Sequence, residues 1–140
     1  MIIRSPATLD LFRSPGRCQL CRKPCSVREG HHYLARGMGG GNQLDVEINL
    51  IALGSSGQFE CECHTRVHGG NISRAEVLAV IAKRENAKPG DIEEALYFLT
   101  RLPKDASEDR ILELLRELDS PVEWLARREL LRHGVLSIPF

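Results

Sequence analysis

Two short cysteine spacings constrain the fold of this chain more than any other feature. A CxxC pair occupies positions 18 and 21, and a CxC pair occupies positions 61 and 63, about 40 residues further on. Each short spacing places two sulfur atoms on one side of an ion, and four thiolates form the tetrahedral site that zinc prefers. In a reducing cytosol, clustered cysteines more often bind a metal than form disulfides. The sequence therefore predicts a structural zinc site formed by Cys18, Cys21, Cys61 and Cys63.

The length of 140 residues fits one domain, or a small metal-stabilised module joined to a helical extension. The chain has no apolar run of the roughly 18 residues that a membrane span needs. Its first 12 residues also lack the apolar stretch of a secretion signal. We therefore expect a soluble, cytoplasmic protein that does not associate with a membrane.

The net charge is zero, so global basicity gives no argument for binding to nucleic acid. The local balance differs, because residues 1–40 contain seven Lys or Arg side chains against two acidic ones, a net charge of +5. This excess predicts that a DNA contact surface would lie in the N-terminal half. The alternative is an ordinary solvated surface.

Four of the five histidines form two pairs whose spacings suit a metal site. His31 and His32 are adjacent in a predicted strand, Gly30–Leu34, and neighbouring side chains on a strand point to opposite faces. One of the two could therefore bind a metal while the other contacts water. His64 and His68 are four residues apart, which on a helix presents two imidazole nitrogens to one cation.

The segment between the histidine pairs contains a glycine-rich loop and a polar residue ahead of a strand. Arg36 precedes four glycines within positions 37–41, and glycine allows a close approach of the backbone to a ligand such as DNA. Asn49 lies in the second predicted strand, Ile48–Leu53. Its amide can bind a carbonyl and an N–H group at once, so it could pin the loop to the strand.

The order of these elements resembles the HNH nuclease family, in its phage-type, cysteine-bearing branch. The resemblance covers about two fifths of the chain, from Cys18 to Gly70, and is carried by His31-His32-Tyr33, Asn49-Leu50-Ile51-Ala52-Leu53 and Cys63-His64. It implies an α+β protein whose ββα-metal, treble-clef-like core contains a zinc knuckle and is followed by an α-helical extension. It also implies a phage- or prophage-encoded endonuclease that nicks or cuts DNA.

The resemblance further implies which histidines bind metal and which one acts as a base. The second histidine of the family's pair is the general base, which gives this role to His32 and leaves His31 as a metal ligand. His64 and His68 would complete a three-histidine site with His31 for a single catalytic ion. This ion could be Mg, Mn, Ni or Zn, and the mechanism would be a one-metal mechanism.

Three further residues have roles that depend on the resemblance. Asn49 would hold His32 in orientation, or ligate the metal as in some branches of the family, and Arg36 would contact a phosphate. The second cysteine pair of the family is usually CxxC, whereas here it is CxC. This departure leaves Cys25 as a possible substitute for one of the four zinc ligands.

Two alternatives to an enzyme stay open at this level. In the first, a histidine completes a purely structural zinc site, and the chain is a non-catalytic DNA-binding or assembly adaptor. In the second, the helical half is a docking platform for a protein partner, such as phage DNA-packaging machinery, which would control cleavage. The cysteines themselves could also be buried small hydrophobic residues without a metal.

The composition of the sequence changes at residue 73, where charged amphipathic segments begin. The predicted organisation is a lead-in at 1–17, an HNH core at 18–72 and a helical extension of four helices at 73–140. Gly134 would end the last helix, and His133 would be a helix-end residue and not a ligand. The predicted helix starts are Ser73 with Glu76, Asp91 with Glu94, Ser107, and Ser120 with Pro121 and Glu123.

Overall fold

A computed structural model describes residues 1–35, 43–55 and 61–137. Within these ranges the chain is a mixed α+β protein with six α-helices and two small antiparallel sheets of two strands each. Arg36 and the glycine-rich loop at 37–41, to which phosphate contacts were predicted, lie outside the described residues.

The predicted lead-in contains a helix that the sequence analysis missed. Helix α1 spans Pro6–Arg13, with Pro6 at a position where its fixed φ suits the first turn. Ser5 caps the helix, because its hydroxyl accepts a hydrogen bond from the backbone N–H of Thr8 at 3.3 Å. Its apolar residues Leu9 and Phe12 pack in a small buried cluster with Leu50 and Ala52.

The first sheet carries the CxxC pair of the predicted zinc knuckle. Strands β1 (Gly16–Arg17) and β2 (Pro24–Cys25) pair antiparallel, and the turn between them contains the CxxC pair. Arg22 in this turn adopts a positive φ of 70°. The short hairpin therefore holds two cysteine side chains close together in sequence and in space.

The second sheet carries the histidine pair. Strands β3 (Arg28–His32) and β4 (Leu50–Gly54) pair antiparallel, with His32 opposite Leu50. The predicted strands had bounds about two residues different. The reason is Asn49, which ends a 3-10 turn. Its side chain forms hydrogen bonds with the backbone N–H and carbonyl groups of Leu34, so the pairing between the strands stops at His32.

The C-terminal half contains the four predicted helices, after the short helix α2 (Cys63–His68). They are α3 (Arg74–Arg84), α4 (Pro89–Arg101), α5 (Glu108–Arg116) and α6 (Val122–Arg132). The Ser73–Glu76 capping box, the Ser107 cap and the left-handed Gly134 after α6 are confirmed.

Two predicted helix starts are wrong. Helix α4 begins at Pro89 and not at Asp91, because proline fits the first turn and places Asp91 inside it. Helix α6 begins after Pro121, and the side chain of Glu123 forms an ion pair with Arg127 instead of a capping bond. None of the helices within the described ranges is long and apolar enough to cross a membrane.

One hydrophobic core joins the two halves of the chain. Its buried members run from Ile3 to Leu136 and include cysteines of the knuckle as well as the inner faces of α3 to α6. Arg84 on α3 strengthens the junction, because its guanidinium donates to the carbonyl oxygens of Leu50 at 2.7 Å and Glu47 at 2.6 Å. The helical half thus fixes the position of strand β4.

Candidate active site

The four predicted zinc ligands converge at one place. The Sγ atoms of two cysteines from the β1–β2 turn and two from the start of α2 all lie within 4.8 Å of one another. Three of the four side chains are buried, and the cluster could hold a metal ion. Its members are Cys18, Cys21, Cys61 and Cys63.

The protonation of this cluster suits a site that loses protons when an ion binds. Burial alone would raise the pKa of Cys18, but hydrogen bonds from the backbone N–H groups of Cys21, Gly54 and Leu20 lower it to about 7. Burial raises the pKa of Cys61, and it raises that of Cys63 as well. Without a cation, the cluster therefore contains neutral thiols beside one thiol that ionises readily.

Cys25 lies beside the cluster and is not among the four cysteines whose sulfur atoms share a centre. Its Sγ is 3.8 Å from Sγ of Cys61, and its thiol donates to the carbonyl oxygen of Lys23 at 3.4 Å. The four cysteines that share a common centre are those of the CxxC and CxC pairs.

Gly54 is the position at which a side chain would disturb the cysteine cluster most directly. A Cβ atom built there would overlap Sγ of Cys61 and lie 2.7 Å from Sγ of Cys25. We expect Gly54→Ala to lower metal content and to destabilise the protein by about 2–4 kcal/mol, in the range seen for overpacked cores and strained sites. Urea unfolding with metal analysis measures both effects.

Gly90→Ala is the matched control, because a Cβ at Gly90 meets no atom within 4 Å. This residue lies in the first turn of α4, where alanine should be neutral or slightly stabilising. If Gly54→Ala retains full metal content and wild-type stability, the close packing of β4 on the cysteines is refuted.

The three histidines that were predicted to bind a metal also converge. His31 on β3 and His64 and His68 on α2 each offer a ring nitrogen, and these atoms all lie within 4.8 Å of one another. The Nε2 atoms of His64 and His68 are 3.1 Å apart, as their spacing of one helical turn predicts. The sheet and the helix thus bring together residues that are more than 30 positions apart in sequence.

The environment of His31 and His64 favours the neutral form of these two rings, which is the form that ligates metals. Burial, followed by the nearby His68, His64 and His32, lowers the pKa of His31 to about 4. Burial and His68 also lower the pKa of His64. Neutral imidazoles with convergent nitrogens suit a divalent transition ion.

The lowered pKa of His31 predicts a pH dependence of folding. Between pH 6.5 and pH 4 the unfolded chain binds a proton on this ring that the ion-free folded chain excludes. Stability should therefore fall as the pH falls through this window, by roughly 1–2 kcal/mol once screening of a half-buried ring is allowed for. Urea unfolding at several pH values, compared with His31→Asn, isolates this contribution. Equal pH dependence of the two proteins would contradict it.

His32 has a buried carboxylate partner that the sequence analysis missed. Its Nε2 lies 2.7 Å from Oδ1 of Asp45, which is only 1% exposed. Burial would raise the pKa of Asp45, but hydrogen bonds with His32, the backbone N–H of Ser5 and Gln43 lower it. Asp45 is therefore ionised. The one signal in the sequence was an acidic residue between two apolar residues, Leu44 and Val46.

Asn49 is fully buried and connects the two ends of the segment at 36–42. Its Oδ1 accepts from the backbone N–H of Leu34 at 2.8 Å, and its Nδ2 donates to the carbonyl oxygens of Leu34 and Leu44. Both ends of the Asn49 amide are thus bonded to the backbone, and its role as a metal ligand stays an untested alternative. The glycine-rich loop that Asn49 was predicted to pin lies outside the described residues, so the pinning role stays a prediction.

Comparisons of the chain with protein-family models, with curated proteins and with solved structures gave no match.

Proposed function

We propose that this protein is a metal-dependent DNA endonuclease of the HNH type that hydrolyses phosphodiester bonds. The observation that supports the proposal best is the juxtaposition of three convergent imidazoles with a fourth histidine held by a buried carboxylate. Phosphodiester hydrolysis needs a cation at the phosphate, a base for water and a group that orients the base. The described residues offer a candidate for each.

His31, His64 and His68 are the residues that would hold the ion, and their chemistry fits it. They provide three nitrogen donors, two of which have lowered pKa values. When bound, a divalent ion would neutralise negative charge on the phosphate and on the leaving oxygen. The site includes no described carboxylate among its convergent ligands, which favours the later transition ions in affinity.

His32 would act as the general base through its Nδ1 atom. Because the ionised Asp45 carboxylate can only accept a hydrogen bond, Nε2 of His32 carries the proton that bridges them. The lone pair of the neutral ring then lies on Nδ1, where it can take a proton from the attacking water. Asp45 also stabilises the imidazolium that this transfer creates.

Asn49 would support the His32–Asp45 pair through the backbone. It binds the backbone of Leu34, two residues after His32, and of Leu44, the residue before Asp45. One buried amide therefore fixes the spacing between the base and its carboxylate partner.

A non-catalytic zinc adaptor would leave these features without a task. The cysteine cluster is separate from the histidine cluster, so a structural ion at the cysteines does not use the histidines. An adaptor also has no need of the His32–Asp45 pair. The phage origin, the link to DNA packaging and a controlling protein partner stay predictions from the resemblance.

Plasmid cleavage tests the proposal. Protein freed of weakly bound ions would be incubated with supercoiled plasmid alone, with EDTA, and with Mg, Mn, Ni or Zn. We expect nicked or linear products only with an added ion. His68→Ala, which removes one histidine ligand and leaves the cysteines intact, should lose the activity. Cleavage that persists in EDTA or in His68→Ala would refute the proposal.

A further inference from the structure

A cavity of about 270 Å³ adjoins the histidine cluster. Its lining combines catalytic candidates from β3 and α2 with residues from the start of α3. His31, His32, Val67, His68, Arg74 and Val77 are among its lining residues. Among the described residues that line the cavity, Arg74 is the only one with a charged side chain apart from the histidines.

Arg74 is held in position by an aromatic ring. Its guanidinium carbon lies 4.5 Å from the centroid of the Tyr33 ring, within the range of a cation–π contact. Tyr33 directly follows the histidine pair, and its hydroxyl donates to Oε2 of Glu93 on α4 at 2.5 Å. The face of an aromatic ring attracts a cation, so this contact restrains the guanidinium of Arg74.

The guanidinium of Arg74 has no anionic partner in the described part of the chain. Several other arginines on the long helices form ion pairs, such as Arg84, Arg128 and Arg132. Arg74 makes neither an ion pair nor a hydrogen bond with a described residue, and its side chain is exposed. Its planar set of five N–H donors is therefore available to a ligand.

We propose that Arg74, restrained by Tyr33, binds a phosphate of the DNA strand next to the phosphate that is cleaved. This subsite depends on the proposed nuclease function and extends it to substrate binding. An arginine matches the paired oxygens of a phosphodiester, and a stacked guanidinium loses less conformational entropy on binding than a free one. Val67, Ile72 and Val77 line the same cavity and would contact the apolar face of a deoxyribose.

The test measures DNA affinity and not cleavage. His32→Ala serves as the parent protein, because it should bind DNA without cutting it. Fluorescence anisotropy with a labelled duplex of about 20 base pairs gives Kd at several salt concentrations. We expect Arg74→Gln to weaken binding about tenfold and to reduce the salt slope by about 1. Arg74→Lys keeps the charge but loses the fork, so its Kd should lie between the two.

Arg116→Gln in the same parent is the matched control. Arg116 is an exposed arginine on α5 that lines a different cavity, and its removal should leave Kd unchanged. Thermal unfolding midpoints equal to that of the parent would show that both variants are folded.

The outcomes separate the subsite from the nuclease function. If Arg74→Gln matches the parent in Kd and salt slope, or if Arg116→Gln loses as much affinity, the subsite is refuted. Plasmid cleavage by the wild type decides the nuclease function independently, so the subsite can fail while that function stands. A parent that binds no DNA at all also overturns the subsite.

Discussion

Replacing His32 by alanine is expected to lower the rate of DNA cleavage by about 10³-fold. A positioned general base contributes roughly 10²–10⁴ to a hydrolytic rate, and His32 combines a position in the cavity with a buried carboxylate partner. His32 belongs to neither convergent ligand set, so metal content should not change. Single-turnover cleavage of a labelled duplex measures the loss.

His133→Ala is the matched control for this prediction. His133 ends helix α6 and is the one histidine outside the site. Its removal should leave the cleavage rate at the wild-type level. A His32→Ala protein that cuts as fast as His133→Ala would show that His32 is not the base.

Asp45→Asn should slow cleavage through the same side chain. An amide in place of the carboxylate no longer fixes the tautomer of His32 or stabilises its protonated form. The cleavage rate of the double variant His32→Ala/Asp45→Asn should then lie within a factor of about 3 of the rate of His32→Ala. The reason is that the rate losses of residues that act as a unit do not multiply. Multiplied losses would mean that Asp45 acts independently.

Replacing Cys63 by serine is expected to remove the bound ion and most of the stability of the N-terminal half. Structural zinc sites contribute about 10–16 kcal/mol of apparent binding energy in small modules, against a total stability of about 5–15 kcal/mol for a domain. Cys63 is buried among the other three thiols at the start of α2. Metal analysis with thermal unfolding followed by circular dichroism measures both losses.

Cys25→Ser is the matched control, since it removes a buried thiol that lies 3.8 Å from the cluster but outside the shared set. This variant should still bind one ion at the four cysteines and should lose only a modest amount of stability. If Cys25→Ser also releases the ion, Cys25 is a ligand and the assignment of four cysteines is wrong.

The ligand clusters were predictable from sequence for different physical reasons. CxxC, CxC and the spacing of His64 and His68 are local patterns, so short turns and one helical turn suffice to bring their atoms together. The meeting of His31 with α2 is a long-range contact, which the sequence indicated only through its resemblance to a family. The roles of these residues in catalysis stay predictions.

The features that escaped prediction depend on contacts between distant segments. The pairing of His32 with Asp45 requires the chain to return across 13 positions, and no local pattern marks it. The same holds for Arg74 over Tyr33, which joins the helical half to the residue that follows β3. The strand bounds were wrong because one buried side chain, Asn49, replaces ladder bonds that periodicity alone would extend.

The most direct test of the proposed function is a supercoiled plasmid incubated with wild-type protein and with His32→Ala, each in the presence of the same divalent ion and equal in metal content. The expected result is nicked or linear plasmid from the wild type and intact plasmid from His32→Ala. Equal cleavage by both proteins, or intact plasmid with both, would contradict the assignment of this site to DNA hydrolysis.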